Sequence, residues 1–178
     1  MFAAVPITDD ARGAIDALVD RAAPRGLPGR VVPPPNWHVT LRFLGDVEET
    51  GRDRMLGALD EADLGDPFMV RWGALGAFPR PARATVLWVG ADRGVEDLTI
   101  LASVVEEAAR SAGFPAEDRP FRSHLTLSRI RPHQDVTPLL ERVEPLGVSM
   151  PVDRVVLFRS HLGKGPARYE EIEEFPLG

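Results

Sequence analysis

A chain of 178 residues, 44% hydrophobic and 27% charged, has the composition of an ordinary globular protein, and it reads as one domain over residues 1–178 built of two packed lobes. It contains no cysteine, which excludes disulfide frameworks, thiolate metal sites and thiol catalysis. A net charge of -6 argues against a protein that coats nucleic acid over its whole surface, but four arginines and no acidic residue lie between Arg119 and His133, enough for a local basic site.

The first ten residues, MFAAVPITDD, lack a basic leader and reach acidic residues after a short apolar run. Neither a signal peptide nor a membrane span is expected, and the cytoplasm is the expected location. FAAVPI (residues 2–7) reads as a strand. Thr8 followed by Asp9 and Asp10 is a helix start. Ala11, Ile15, Leu18 and Val19 then recur on one face to about Ala22. The Gly/Pro-rich run RGLPGRVVPPPNW breaks the helix and delivers the chain to HVTLRFLG, a strand ended by Gly45. A helix is expected over residues 48–62, followed by strands in PFMVRWGALGAF and ATVLWVG, and by a third helix over residues 95–112 stopped at Gly113. A second proline-containing loop leads to SHLTLSRI, then to a short helix near residues 136–143. VDRVVLFRSHLG and ARYEEIEEF close the chain as a hairpin.

Two of the four histidines fall in one frame, HVTL at residues 38–41 and HLTL at residues 124–127, and a proline stands four residues before each, Pro34 and Pro120. Each half offers a helix, a proline-led entry, an H-x-T-L strand and a further helix. This is the pattern of a diverged duplication, and it predicts an α+β fold of two pseudo-symmetric lobes of mostly antiparallel sheet flanked by helices, in which a pseudo-twofold axis would bring the two polar rows face to face. Strand alternation places His38, Thr40 and Arg42 on one face and Val39, Leu41 and Phe43 on the other. In the second copy His124, Thr126 and Ser128 form the polar row, and Leu125, Leu127 and Ile130 the apolar one. Arg129 is then turned away from His124 unless a bulge re-aims it.

Two imidazoles facing one space suit in-line displacement at a phosphodiester. Such a reaction needs a base for the entering oxygen, an acid for the leaving one and donors for the remaining oxygens. An ordinary histidine pKa near 6.5 lets one ring be neutral and the other charged. Thr40 and Thr126 are candidate phosphate donors, with Arg42 as a further cationic candidate. Neither motif supplies a carboxylate, so no metal and no cofactor is expected. Phe43, Trp88 and Phe121 are candidates for stacking on a base, against a core role. His133 and His161 read as solvated bystanders.

With PPPNWHVTLRFLGDV, LGAFPRPARATVLWVG, the block from GFP to RPFRSHLTLSRIR, and VDRVVLFRS in order, the chain resembles the two-histidine phosphoesterases. Within them it looks most like the RNA 2',3'-cyclic phosphodiesterases, also called LigT-like 2'-5' RNA ligases. Ser123 and Ser128 depart from the proline and alanine common there. The resemblance implies metal-independent opening of an RNA 2',3'-cyclic phosphate to a 2'-phosphate, with 2'-5' ligation as the reverse sense. It also implies a bilobal fold with the active site in the cleft between two antiparallel sheets, His38 as the proton donor to the leaving 3' oxygen, His124 as the base for water, Thr40 and Thr126 on phosphate oxygens, and Arg129 as the match of a family arginine just after the second motif. RNA cyclic-phosphate ends or small cyclic nucleotides are the expected partners of a monomer. Two rival readings are an enzyme for a small cyclic nucleotide or a cyclic phosphate of ADP-ribose, and a non-catalytic module that grips RNA ends.

Overall fold

The computed structural model describes residues 1–161, 163 and 167–178. The first half contributes strand β1 (Phe2–Pro6), helix α1 (Asp9–Ala22), the two-residue β2 (Arg30–Val31), β3 (His38–Phe43), α2 (Glu49–Asp60), β4 (Phe68–Phe78) and β5 (Ala84–Arg93). The second contributes α3 (Val95–Ser111), β6 (His124–Gln134), α4 (Thr137–Leu140), β7 (Val148–Val152), β8 (Arg154–His161) and β9 (Arg168–Pro176). One sheet has the order β3-β1-β8-β9 and the other β2-β6-β5-β4-β7, with antiparallel pairing throughout.

The helices form for the reasons their spacing gives. The Thr8 hydroxyl accepts the Ala11 N–H at 3.4 Å, and Asp9 and Asp10 lie in the first turn of α1. Ala11, Ile15 and Val19 are the face that α1 buries. In α3 the buried face is Leu98, Leu101, Ala102, Val105, Ala108 and Ala109. Gly94, with φ +73°, makes the sharp entry to α3, and a Cβ there would collide with the Met69 carbonyl oxygen.

The halves are exchanged rather than merely adjacent. The C-terminal hairpin β8–β9 completes the sheet that holds β3, while β2, from the first half, pairs with β6 in the other sheet. Helix α1 packs against β7 of the second sheet, and α3 lies on β3 of the first. One apolar cluster therefore runs through both, joining Val5, Ile15 and Val39 to Leu98, Leu125 and Leu127. Each such leucine, fully buried, contributes about 2 kcal/mol by transfer alone. The cleft rests on this shared core.

Some expectations shift. The Gly/Pro-rich run contains the short strand β2, and a separate strand, β7, precedes the closing hairpin; it carries Pro151 and lies at a sheet edge, where a missing N–H is tolerated. The short helix expected near residues 136–143 is the single turn α4, which ends at Leu140. Leu162, Lys164, Gly165 and Pro166 of the HLGKGP turn lie outside the described residues. Among the described residues no helix is long and apolar enough to cross a membrane.

Candidate active site

His38 and His124 open β3 and β6, and both line one cleft of about 740 Å³ together with Thr40, Thr126 and Arg129. Register fixes which face each presents. On the cleft face of the first sheet His38 is opposite Pro6 and Thr40 opposite Ala4; in the second, His124 is opposite Gly90 and Thr126 opposite Trp88.

Both strands then leave strict alternation at the same place. Ala4 pairs with Thr40 but Ala3 with Arg42, so Leu41 is an extra residue; Trp88 pairs with Thr126 but Leu87 with Ser128, so Leu127 is extra. A bulge of one residue reverses every side chain beyond it. The alternation expected for Arg42 and Ser128 is corrected accordingly. Arg42 shares the face of the core residue Ala3, and Ser128 that of Leu87, both being buried. Phe43 and Arg129 instead take the face that the two histidines present, and both line the cleft. The bulge that Arg129 requires is present.

The two imidazoles are held alike. Nδ1 of His38 lies 2.8 Å from the carbonyl oxygen of Asn36, and Nδ1 of His124 lies 2.7 Å from that of Arg122, two residues earlier in each case. A carbonyl only accepts, so Nδ1 carries the proton in both rings and Nε2 is left for the cleft. Aromatic groups set the ring planes. Phe2 stacks on His38 at 4.7 Å and Tyr169 meets its edge at 5.2 Å, while Phe78 stands perpendicular to His124 at 5.1 Å.

Burial pushes the His38 pKa down to about 4, against the smaller opposing effect of the Asn36 carbonyl; the charges of Arg129 and His124 lower it further. His124 is also held below the ordinary value, first by burial and then by Arg129 and Arg122, with the Arg122 carbonyl opposing. Arg129 thus acts electrostatically on both rings.

Arg42 reaches the far end of the cleft, where its guanidinium pairs with Glu106 of α3, lies 3.8 Å from Glu117, and donates to the carbonyls of Phe43 and Pro115. Glu106 also accepts the Glu117 N–H at 3.1 Å, and Arg119 bonds Glu117 at 3.1 Å. This network straps the segment before β6, which brings Phe121 and Arg122 to the cleft wall. Of the stacking candidates, Phe43 is half exposed and Phe121 lines the cleft; Trp88 instead covers Gly76, where a Cβ would fall within its ring. His133 is exposed, and His161 pairs with Glu170 at 2.6 Å.

Sequence reasoning missed Phe78, Arg122 and Tyr169 as cleft residues. Arg122 lies 5.8 Å over the Phe78 ring, a contact between segments far apart in the chain. Only the basic run around it was visible. Tyr169 arrives on the C-terminal strand, and no local pattern announces that this strand joins the first sheet.

A family model described as "LigT like Phosphoesterase" matches the chain twice, over residues 5–88 and 89–168, one H-x-T-L strand in each match. The RNA 2',3'-cyclic phosphodiesterase of Aeropyrum pernix is 34% identical over 135 residues, 76% of this chain and 76% of that protein. The one from Bacillus subtilis is 35% identical over 147 residues, 82% of this chain and 79% of that one. The crystal structure of TT0787 from Thermus thermophilus superposes with a TM-score of 0.79 at 28% identity, covering 99% of this chain and 96% of that one. A duplicated fold, a histidine opening the matching strand of each copy and relatives of this identity along most of the chain lead to one assignment: the chain belongs to the LigT-like phosphoesterase family.

Proposed function

We propose that this chain hydrolyses RNA 2',3'-cyclic phosphate termini to 2'-phosphates by histidine acid–base catalysis without a metal. The observation that carries the reading is the pair of imidazoles on one cleft, each with Nδ1 bonded to a backbone carbonyl and Nε2 left to exchange protons. Its relatives at 34% and 35% identity are named RNA 2',3'-cyclic phosphodiesterases.

In the proposed reaction water attacks phosphorus in line with the 3' oxygen. His124 Nε2 takes the proton from water as the P–O bond forms, and His38 Nε2 gives one to the 3' oxygen as the bond to phosphorus breaks. Thr40 and Thr126 donate to the non-bridging oxygens, and Arg129 supplies the positive charge that the pentavalent transition state needs. Arg42 is bound to Glu106 and Glu117 and acts instead by positioning the cleft wall.

Burial leans both rings toward neutrality, His38 more so. An anionic phosphodiester between them favours the imidazolium form and supplies the counter-charge for one added proton. With the 5'-hydroxyl of a second RNA in place of the attacking water, the same displacement at the cyclic phosphate expels the 3' oxygen and gives a 2'-5' linkage. Product analysis tests the reading. A defined RNA ending in a 2',3'-cyclic phosphate should yield a 2'-phosphate alone, and a 3'-phosphate product or no turnover would sink it.

A further inference from the structure

Arg129 stands between two cavities. On one side is the cleft just described; on the other is a smaller cavity of about 370 Å³ bounded by Arg30, Asn36, Ser160 and Tyr169. Val32, Asn36 and Tyr169 line both, so the second cavity continues the first.

Across the β2–β6 ladder Arg30 is directly opposite Arg129, and opposed residues in an antiparallel pair share a face. Two cationic side chains therefore leave the sheet side by side. Like charges so placed oppose strand pairing, and β2 is only two residues long. The sequence enforces the pairing nonetheless. Gly29, at φ +79°, lies so close to β6 that a Cβ would stand 2.5 Å from the Arg129 carbonyl oxygen and 2.8 Å from Ile130 Cα. One residue beyond β2, the Val32 N–H bonds the Leu127 carbonyl at 2.8 Å, which extends the register to the bulge itself. An anion placed between two guanidiniums accepts charge-assisted hydrogen bonds from both.

On the reading that the cleft takes a 2',3'-cyclic phosphate, we propose that the second cavity is a subsite for the phosphate on the 5' side of the terminal nucleotide, held by Arg30 with Arg129 shared between the two phosphates. A single ribose separates those phosphates, and Arg129 borders both cavities. The subsite makes the chain selective for a nucleotide that continues into an RNA strand over a lone nucleoside cyclic phosphate.

The test compares three substrates: a nucleoside 2',3'-cyclic phosphate, the same compound with a 5'-monophosphate, and a dinucleotide with a 2',3'-cyclic end. KM should fall about tenfold when a 5' phosphate is added, the size of one charge-assisted contact. Arg30→Gln should abolish that gain while leaving kcat and KM on the nucleoside compound unchanged, and Arg30→Lys should keep part of it. For the dinucleotide KM should rise less steeply with salt in Arg30→Gln than in the parent chain. A gain with the dinucleotide, whether or not the monoester shows it too, supports the subsite, and the comparison tells whether a diester is required. Equal KM for all three substrates, or a gain that survives Arg30→Gln, overturns it. If none is turned over, the reading of the cleft fails by itself. Calorimetric binding of the same dinucleotide then decides the subsite, since equal Kd for the parent chain and Arg30→Gln overturns it.

Discussion

Phe43 and Arg129 hold equivalent places in the two lobes: each lies five residues beyond its histidine, just past a bulged leucine, and each is turned into the cleft. One wall thus presents an aromatic ring and the other a guanidinium. A symmetric frame becomes an asymmetric site, which suits a ligand with a base at one end and a phosphate at the other.

Arg129→Gln should lower kcat/KM about 100-fold, the loss expected when a donor to a developing oxyanion is removed. Phe43→Ala should raise KM about tenfold and change kcat less, because it removes stacking rather than charge. Steady-state kinetics on a cyclic-phosphate dinucleotide separates the two. An Arg129→Gln variant within twofold of the parent would remove Arg129 from the phosphate site.

His38→Ala and His124→Ala should each lower kcat by about 10²- to 10⁴-fold, and the double variant should lose much less than the product of the single losses. A p-nitrophenyl phosphodiester assigns the roles, since its leaving oxygen needs little protonation. His38→Ala should recover much of its rate on that substrate while His124→Ala stays slow. Rescue of His124→Ala instead reverses the assignment.

The pH behaviour follows from burial. His38 titrates near 4 in the folded chain and near 6.5 when unfolded, so the unfolded state takes up the proton first as pH falls. Stability should therefore decline from about pH 6.5 to pH 4 and level off below, by at most about 3 kcal/mol from this group. Urea unfolding across that range should show less of the decline in His38→Gln. Imidazole NMR should show His38 neutral at pH 6 in the free chain, and inorganic phosphate should raise its pKa. For kcat/KM a bell-shaped pH profile is expected, and a flat profile from pH 5 to 9 would refute a proton-transferring pair.

Activity should survive EDTA. Proton transfer is supplied by the two imidazoles, and the carboxylates lining the cleft, Glu106 and Glu117, are bound to Arg42. Loss of turnover with EDTA and its return with a divalent ion would overturn this.

Ser128 is fully buried, and its Oγ finds no hydrogen-bond partner among the described residues. Ser128→Ala should stabilise the fold by about 1 kcal/mol, since the unmet desolvation of the hydroxyl disappears and little volume changes. Thermal unfolding checks the sign. Destabilisation would mean that the hydroxyl has a partner in solution.

Local pattern by itself determined the helices α1, α2 and α3, the Thr8 cap, and the two strands that carry His38, Thr40, His124 and Thr126. These follow from periodicity and capping, which act within a few residues along the chain. The tertiary structure decided what lies beyond Leu41 and Leu127. A bulge is a property of a ladder: its register is set by Ala3 and Ala4 for β3, and by Leu87 and Trp88 for β6, residues about 40 positions away in either case. That register moved Arg42 and Ser128 into the interior and brought Phe43 and Arg129 to the cleft. The placement of Arg30 opposite Arg129 and of Tyr169 beside His38 has the same origin, because pairing between distant strands is chosen by the packing of the whole and leaves no mark in the segments themselves.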